Sequence, residues 1–279
     1  MTLQRVKKLL RPGYRKMRAF AQELTGTTVS FPVQKHKHRL TRLGTDYGGW
    51  VFLDDPGLTG SVIVSCGLGE DASFDVEFAA RYAADVIMVD PTPRAIEHYR
   101  GIASRIGERR TAEYSSTGAQ PVAAYDLSKV AARQLRLCQK ALWNESTTLR
   151  FYAPKNPSHV SHSIVNYAND YSTETAHIDV EAITAAELLS AYGIQQLRLI
   201  KLDIEGAEVE VLSDMLGKGI RPNQVLVEYD ELSVRSPKSE ARIRVTHHML
   251  LESGYSLINR EGNNFTYLRE EGSVAGREP

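Results

Sequence analysis

Val64-Ser65-Cys66-Gly67-Leu68-Gly69-Glu70-Asp71-Ala72-Ser73-Phe74-Asp75, VSCGLGEDASFD, joins a β-rich apolar run to a helix-period pattern, and its reading decides the fold. The run Ser61 to Cys66 predicts a buried strand. Phe74, Phe78 and Tyr82 recur at i, i+4 and i+8 and predict a helix, with Asp71 or Ser73 available to cap it. Between them, Gly67 to Ala72 satisfies G-x-G-x-x-G/A, a turn whose glycines let a ligand approach the backbone. The next run, Val86 to Asp90, ends in an acid placed to accept ribose hydroxyl protons, and Pro91-Thr92-Pro93 then opens a second helix with Pro93 where no N–H is needed. The unit is β-α-β and its ligand carries an adenosine.

What lies across the glycines is decided by Glu70 and Asp71. A pyrophosphate would sit beside two carboxylates, and like charges a few ångström apart repel by about 4 kcal/mol at an effective dielectric of ~20. S-adenosylmethionine presents an ammonium and a sulfonium, which the acids favour. A nicotinamide dinucleotide remains the competing ligand, and helix capping the plainer account of either acid.

Working outward, short apolar runs alternate with helical patterns, as in a parallel sheet covered on both faces. The spacing predicts a helical stretch near Val122 to Arg133 and a strand over Leu135 to Cys138. Lys140–Trp143 and Leu149–Tyr152 read as a hairpin about Asn144 to Thr147. The polar, proline-containing stretch 154–176 is long for a connection and reads as an acceptor lid carrying His159 and His162. A strand at His177–Ala182 precedes a Thr184/Glu187 capping box and a short helix ending at Gly193. Strands at Leu197–Asp203 and Gln224–Tyr229 flank a helix at Ala207–Leu216, and a helix near Glu240–Ser253 leads into a hairpin of Tyr255–Asn259 and Phe265–Leu268. Parallel units ending in an antiparallel hairpin predict an α/β, Rossmann-like, seven-stranded methyltransferase sheet with helices on both faces.

A second constellation sits in Leu199 to Glu208. Alternation puts Lys201, Asp203 and Glu205 on one side, with Asp203 at the carboxyl end of its strand, where open α/β sheets bind ligands. For methyl transfer to a hydroxyl, Asp203 or Glu205 is the candidate base, and Lys201 completes the candidate catalytic group. The plainer account pairs Lys201 with Asp203 and lets Glu205 and Glu208 cap the following helix.

At these motifs the chain resembles the FkbM family of S-adenosylmethionine-dependent methyltransferases. The resemblance rests on VSCGLGEDASFD, on VDPTP at Val89–Pro93, on KALWNESTTLRFYAPKNP with SHSIVN after it, and on IKLDIEGAEVEVL at Ile200–Leu212. LVEYDE and GYSLINREGNNFTYLR extend it over roughly residues 40 to 270. It implies O-methylation of a hydroxyl on a sugar, glycan or natural product. It further implies that Gly67, Gly69, Asp71, Ser73 and Asp90, with the flanking Cys66, Leu68, Pro91 and Thr92, hold the cofactor, and that Ala141 lies near the adenine. An oxidoreductase using NAD and an inactive methyltransferase-like binding module are the alternatives.

Composition sets the remaining expectations. The 279 residues carry 34 Lys plus Arg against 34 Asp plus Glu, a zero net charge from which no nucleic-acid partner is expected. A basic segment, residues 1–40, precedes the methyltransferase domain, 41–279. Within it Arg5 to Arg18 reads as a solvated helix more readily than as a membrane contact. Without an apolar span or leader the chain is expected in the cytoplasm. Cys66 and Cys138 read as buried and inert, no metal ligand set is visible, and His36, His38, His247 and His248 read as surface residues.

Overall fold

Runs with apolar side chains on both faces have one stable destination, the interior of a sheet covered on both sides. In the computed structural model, β3 (Val62–Cys66), β4 (Asp85–Val89), β9 (Leu199–Leu202) and β10 (Gln224–Glu228) are such strands, and nearly every residue in them is buried. The structure describes residues 31–35, 39–152, 177–232 and 236–269, almost all of them in the second of the chain's two units, Val33–Pro279. The stretch 154–176 with its two histidines, the basic residues up to Phe20, and His36 and His38 lie outside the described residues.

The seven-stranded sheet has the order β11-β12-β10-β9-β3-β4-β5, with β5 at Leu135–Cys138, β11 at Tyr255–Glu261 and β12 at Asn264–Arg269. The five strands β10, β9, β3, β4 and β5 run parallel, and β12 and β11 close the sheet antiparallel. This is the expected Rossmann-like methyltransferase sheet with its terminal hairpin. From β3 the chain steps outward through β4 to β5, then crosses back to β9 on the other flank, so the strand order reverses between β3 and β9. Open α/β sheets bind ligands at the carboxyl ends beside such a reversal.

Helices α1 (Ser73–Tyr82), α2 (Pro93–Ala103), α3 (Ala185–Ala191), α4 (Glu208–Gly217) and α5 (Pro237–Glu252) are the helices of more than one turn among the described residues. An unanticipated hairpin, β1 (Leu40–Leu43) with β2 (Trp50–Leu53), lays Phe52 against the aromatic stripe of α1, 5.9 Å from Phe74 and 5.4 Å from Phe78. Gln224 fixes β2 to the sheet by accepting the Leu53 N–H at 2.8 Å and donating to the Leu53 carbonyl at 3.0 Å.

Two local expectations are corrected. Val122–Arg133 is not a helix but two 3-10 turns, Val122–Ala124 and Ala132–Gln134. Between them Asp126 accepts the Ser128 N–H at 3.1 Å and its hydroxyl at 2.6 Å, a turn that competes with helix. Nor do β6 (Ala141–Leu142) and β7 (Thr148–Tyr152) pair as a hairpin. Both pair with β8 (His177–Ile183), parallel and antiparallel respectively, in a second sheet of order β6-β8-β7. Among the described residues no helix is long and apolar enough to cross a membrane.

Candidate active site

The two sequence motifs meet. Gly67, with φ of 84°, passes so close to the backbone after β9 that a Cβ there would overlap the Asp203 carbonyl. Only glycine meets both demands. Lys201, buried in β9, donates its ammonium to the Gly67 carbonyl at 2.8 Å and the Cys66 carbonyl at 3.3 Å, stands 3.5 Å from Asp203 and lies over the Trp50 ring. Burial opposes the charge on Lys201, but Asp203 and then Asp75 outweigh it and hold its pKa above the usual value. Lys201 is thus the tie between the halves of the site, with its charge facing carbonyls and acids.

The glycine turn and Asp90 are joined by a short hydrogen bond. Asp90, just past β4, accepts the Gly69 N–H at 2.9 Å on one oxygen and the Thr92 N–H and hydroxyl at 2.8 and 2.7 Å on the other. Asp71 accepts the Ser73 N–H at 2.9 Å, the Thr45 hydroxyl at 2.6 Å and the Gln120 amide at 3.3 Å. Glu70 pairs with Arg94 at 3.1 Å. The two acids that argued against a pyrophosphate are therefore engaged within the protein, Glu70 by a cation and Asp71 by a loop, which softens that argument.

S-adenosylmethionine, which this fold and turn imply, fits the residues present. The space where a Cβ of Gly69 would stand is open for 4 Å, so a ligand can lie on the backbone there, and the Asp90 oxygen bonded to Gly69 keeps acceptor capacity for a ribose hydroxyl. Cys66 and Leu68 are buried and offer only backbone. Ser73 is fully buried and accepts the Thr45 N–H at 2.9 Å, so it supports the turn from behind. Ala141 follows β5 closely, with its methyl packed in a small core beside Phe151, Val180 and Ala182. Pro91 and Thr92 flank Asp90, Thr92 through the bonds given above.

The turn after β9 is strained and rich in acids. Asp203 is half-buried, and Glu205 holds φ of 56°, a left-handed conformation costly for a residue with a Cβ, followed by Gly206 at 97°. Glu208 locks this turn by accepting the Ile204 N–H at 2.7 Å and the Gly206 N–H at 2.9 Å. That makes Glu208 a clamp on the turn. Around it the acids crowd: burial and neighbouring carboxylates push Asp230 and Glu208 well above the usual range, and burial raises Glu231 although Arg242 opposes it at 3.3 Å. Among the described residues, Asp230 Oδ2 and Glu231 Oε2 are buried without a hydrogen-bond partner. No three His, Cys, Asp or Glu side chains among the described residues converge as metal ligands.

Several residues escaped the sequence reading. Asp75, buried beneath the turn, is pushed up to about 6 by burial, which Lys201 and Ser65 partly offset. Thr45, on the β1–β2 loop, reaches the glycine turn through Ser73 and Asp71 although nothing in its local pattern marks it. His98 is buried with Nε2 2.8 Å from the Tyr125 hydroxyl, which itself accepts the Ala72 N–H at 3.0 Å. Tyr125 thus links His98 to the start of α1, and burial lowers the His98 pKa. His247, expected at the surface, is half-buried with Nδ1 2.8 Å from the Tyr267 hydroxyl, while His248 is exposed. Cys66 and Cys138 are free and buried, and burial pushes both thiols up.

A family model described as Methyltransferase FkbM domain matches residues 61–257. No curated protein matches the chain. Similar solved structures include the 16S rRNA (adenine(1408)-N(1))-methyltransferase from Catenulisporales acidiphilia, 11% identical over 77% of this chain and 90% of that one, with a TM-score of 0.34. Another is the 16S rRNA methyltransferase KamB, 10% identical over 82% of this chain and 97% of that one, with a TM-score of 0.36. Both enzymes act by name on 16S rRNA. The expectation of no nucleic-acid partner is withdrawn on that finding, since it rested on a net charge that does not describe the local field at a site.

Proposed function

The chain belongs to the FkbM methyltransferase family, and from that premise we propose an S-adenosylmethionine-dependent O-methyltransferase acting on a hydroxyl of a sugar, glycan or natural product. The family gives methyl transfer from S-adenosylmethionine as the general activity and sets the nicotinamide oxidoreductase aside. The observation that carries the hydroxyl acceptor is Asp203. It stands at the carboxyl end of β9, its backbone against Gly67, with a half-exposed carboxylate held 3.5 Å from Lys201.

When bound, S-adenosylmethionine supplies an electrophilic methyl group on a cationic sulfur. Gly67 and Gly69 offer backbone, Asp90 takes ribose hydroxyls, and Asp71 holds the loop that walls the cofactor turn. On the acceptor side, Asp203 accepts the hydroxyl proton as the oxygen attacks, with Glu205 as the neighbouring acid that orients the same hydroxyl. Lys201 keeps the Asp203 carboxylate fixed against the glycine turn, so that donor and acceptor groups stay aligned for an in-line displacement.

Calorimetry with S-adenosylmethionine, S-adenosylhomocysteine and NAD tests the cofactor, and transfer of labelled methyl to glycosides, polyols and a 16S rRNA fragment tests the acceptor. Asp203→Asn should lower kcat about 10²- to 10⁴-fold with cofactor affinity kept. Full activity in Asp203→Asn and Glu205→Gln would remove the acceptor assignment. Cofactor binding without turnover on any acceptor would favour an inactive binding module.

A further inference from the structure

Two loops converge on one oxygen of Asp71. The Asp71 N–H donates to the Leu68 carbonyl at 3.3 Å, so this acid belongs to the glycine turn itself. Its Oδ2 accepts the Thr45 hydroxyl at 2.6 Å and the Gln120 amide at 3.3 Å, and Gly48 lies over the same oxygen so closely that a Cβ would stand 2.8 Å from it. Its Oδ1 accepts a single N–H, that of Ser73, and keeps capacity for one more donor.

Neither loop residue is free to turn away. The Thr45 hydroxyl accepts the N–H groups of Tyr47 at 3.2 Å and Gly48 at 2.9 Å, so its one proton is directed to Asp71. Gln120 is buried; its Oε1 accepts the Ser115 N–H at 2.8 Å and its Nε2 donates to the Thr117 carbonyl at 2.6 Å, which fixes the amide with Nε2 toward Asp71. The Gln120 N–H also holds the Glu70 carbonyl at 2.8 Å. The loops touch each other as well, since a Cβ at Gly118 would overlap the Tyr47 ring. Glu70 has Arg94 as its counter-ion, whereas the groups bonded to Asp71 among the described residues are neutral. A carboxylate held by neutral donors retains its attraction for a cation brought by a ligand.

Resting on the S-adenosylmethionine reading, we infer that Thr45 and Gln120 are positioning residues for the amino-acid end of the cofactor. By occupying Oδ2 from two loops they leave Oδ1 as the oxygen that meets the ligand's ammonium. Both act through the orientation of Asp71. A change at either alters how the site reads the ammonium and spares how it reads the adenosine, which rests on Gly69 and Asp90.

The test compares two ligands on the full chain by calorimetry: S-adenosylhomocysteine, and 5′-methylthioadenosine, an adenosine thioether without the amino acid. Thr45→Val keeps the shape and removes the proton; it should weaken S-adenosylhomocysteine binding about 10-fold and leave 5′-methylthioadenosine within about twofold. Thr45→Ser restores the hydroxyl and should recover most of the loss. Gln120→Met, at the longer contact, should show the same selectivity at about threefold, and it decides the matter alone should Thr45→Val fail to fold. Equal losses for both ligands would overturn the proposal, as would unchanged S-adenosylhomocysteine binding. A wild-type chain that binds the two ligands equally would also overturn it and leave the methyltransferase reading intact. A wild-type chain that binds neither would sink both.

Discussion

Asp90 and Asp203 hold matching positions, each just beyond the carboxyl end of a parallel strand that neighbours β3, one on either side. Asp90 is 6% exposed and accepts three short hydrogen bonds from the turn around it. The Asp203 side chain is 31% exposed, with an ammonium 3.5 Å away and a left-handed Glu205 two residues on. Under the proposed function, the difference separates a carboxylate that holds from one that reacts. A carboxylate that presents a fixed surface to a cofactor is best oriented by donors from the turn around it, with one oxygen left able to accept a further hydroxyl. One that must accept a proton during the reaction needs open acceptor capacity, and that leaves its surroundings rich in repelling acids.

Lys201 is what keeps the second arrangement affordable, so its removal should erase the contrast most strongly. Lys201→Met leaves Asp75 buried without its ammonium and frees the Gly67 and Cys66 carbonyls. We expect a loss of about 3–5 kcal/mol in urea denaturation, the range for breaking a buried ion pair. A loss below about 1 kcal/mol would mean that the acids are relieved by other means.

The two glycines sharpen the comparison from the cofactor side. Gly67→Ala places a methyl on the Asp203 carbonyl at positive φ and should cost more than the ~1–2 kcal/mol of the left-handed conformation alone, because the two halves must separate. Gly69→Ala, at φ of 54° in open space, should cost about that conformational penalty and no more. Its larger effect should fall on cofactor affinity, since the methyl enters the space the ligand uses. Equal stability losses in the two variants would contradict the contact between Gly67 and Asp203.

The most gradual effect concerns pH. Asp75 is pushed up to about 6 from 3.8, so its neutral form is the one the fold favours. That contribution is fully present below about pH 4 and is lost as pH rises through about 6, by at most about 3 kcal/mol at 1.36 kcal/mol per unit. Asp75→Asn cannot ionise and should flatten the stability profile between pH 4 and 6. Urea midpoints that fall across this window as steeply as in the wild type would place the titration elsewhere.

Much of this was legible along the chain. The parallel strands announced themselves because burial on both faces demands continuous apolar runs, and the turn that Asp90 meets because a close backbone approach demands glycines at fixed spacing. The stretch after Val122 misled, since Leu127 and Val130 suggest a buried helical face while the Asp126–Ser128 turn, a local hydrogen-bond choice, wins. The turn residues Asn144–Thr147 suggested a hairpin, yet β6 and β7 take β8 as their partner from across a long intervening segment. Pairing over such a distance leaves no local signature.

The sequence by itself determined the alternation of strand and helix, the terminal hairpin and the residue types at each strand end, because periodicity and turn chemistry act over a few residues. Only the tertiary structure decided that Gly67 presses on Asp203, that Lys201 ties the two motifs, and that Thr45 from an unmarked loop bonds to Asp71 and Ser73. Those relations join residues from 26 to about 135 positions apart, and what brings them together is the packing of buried faces.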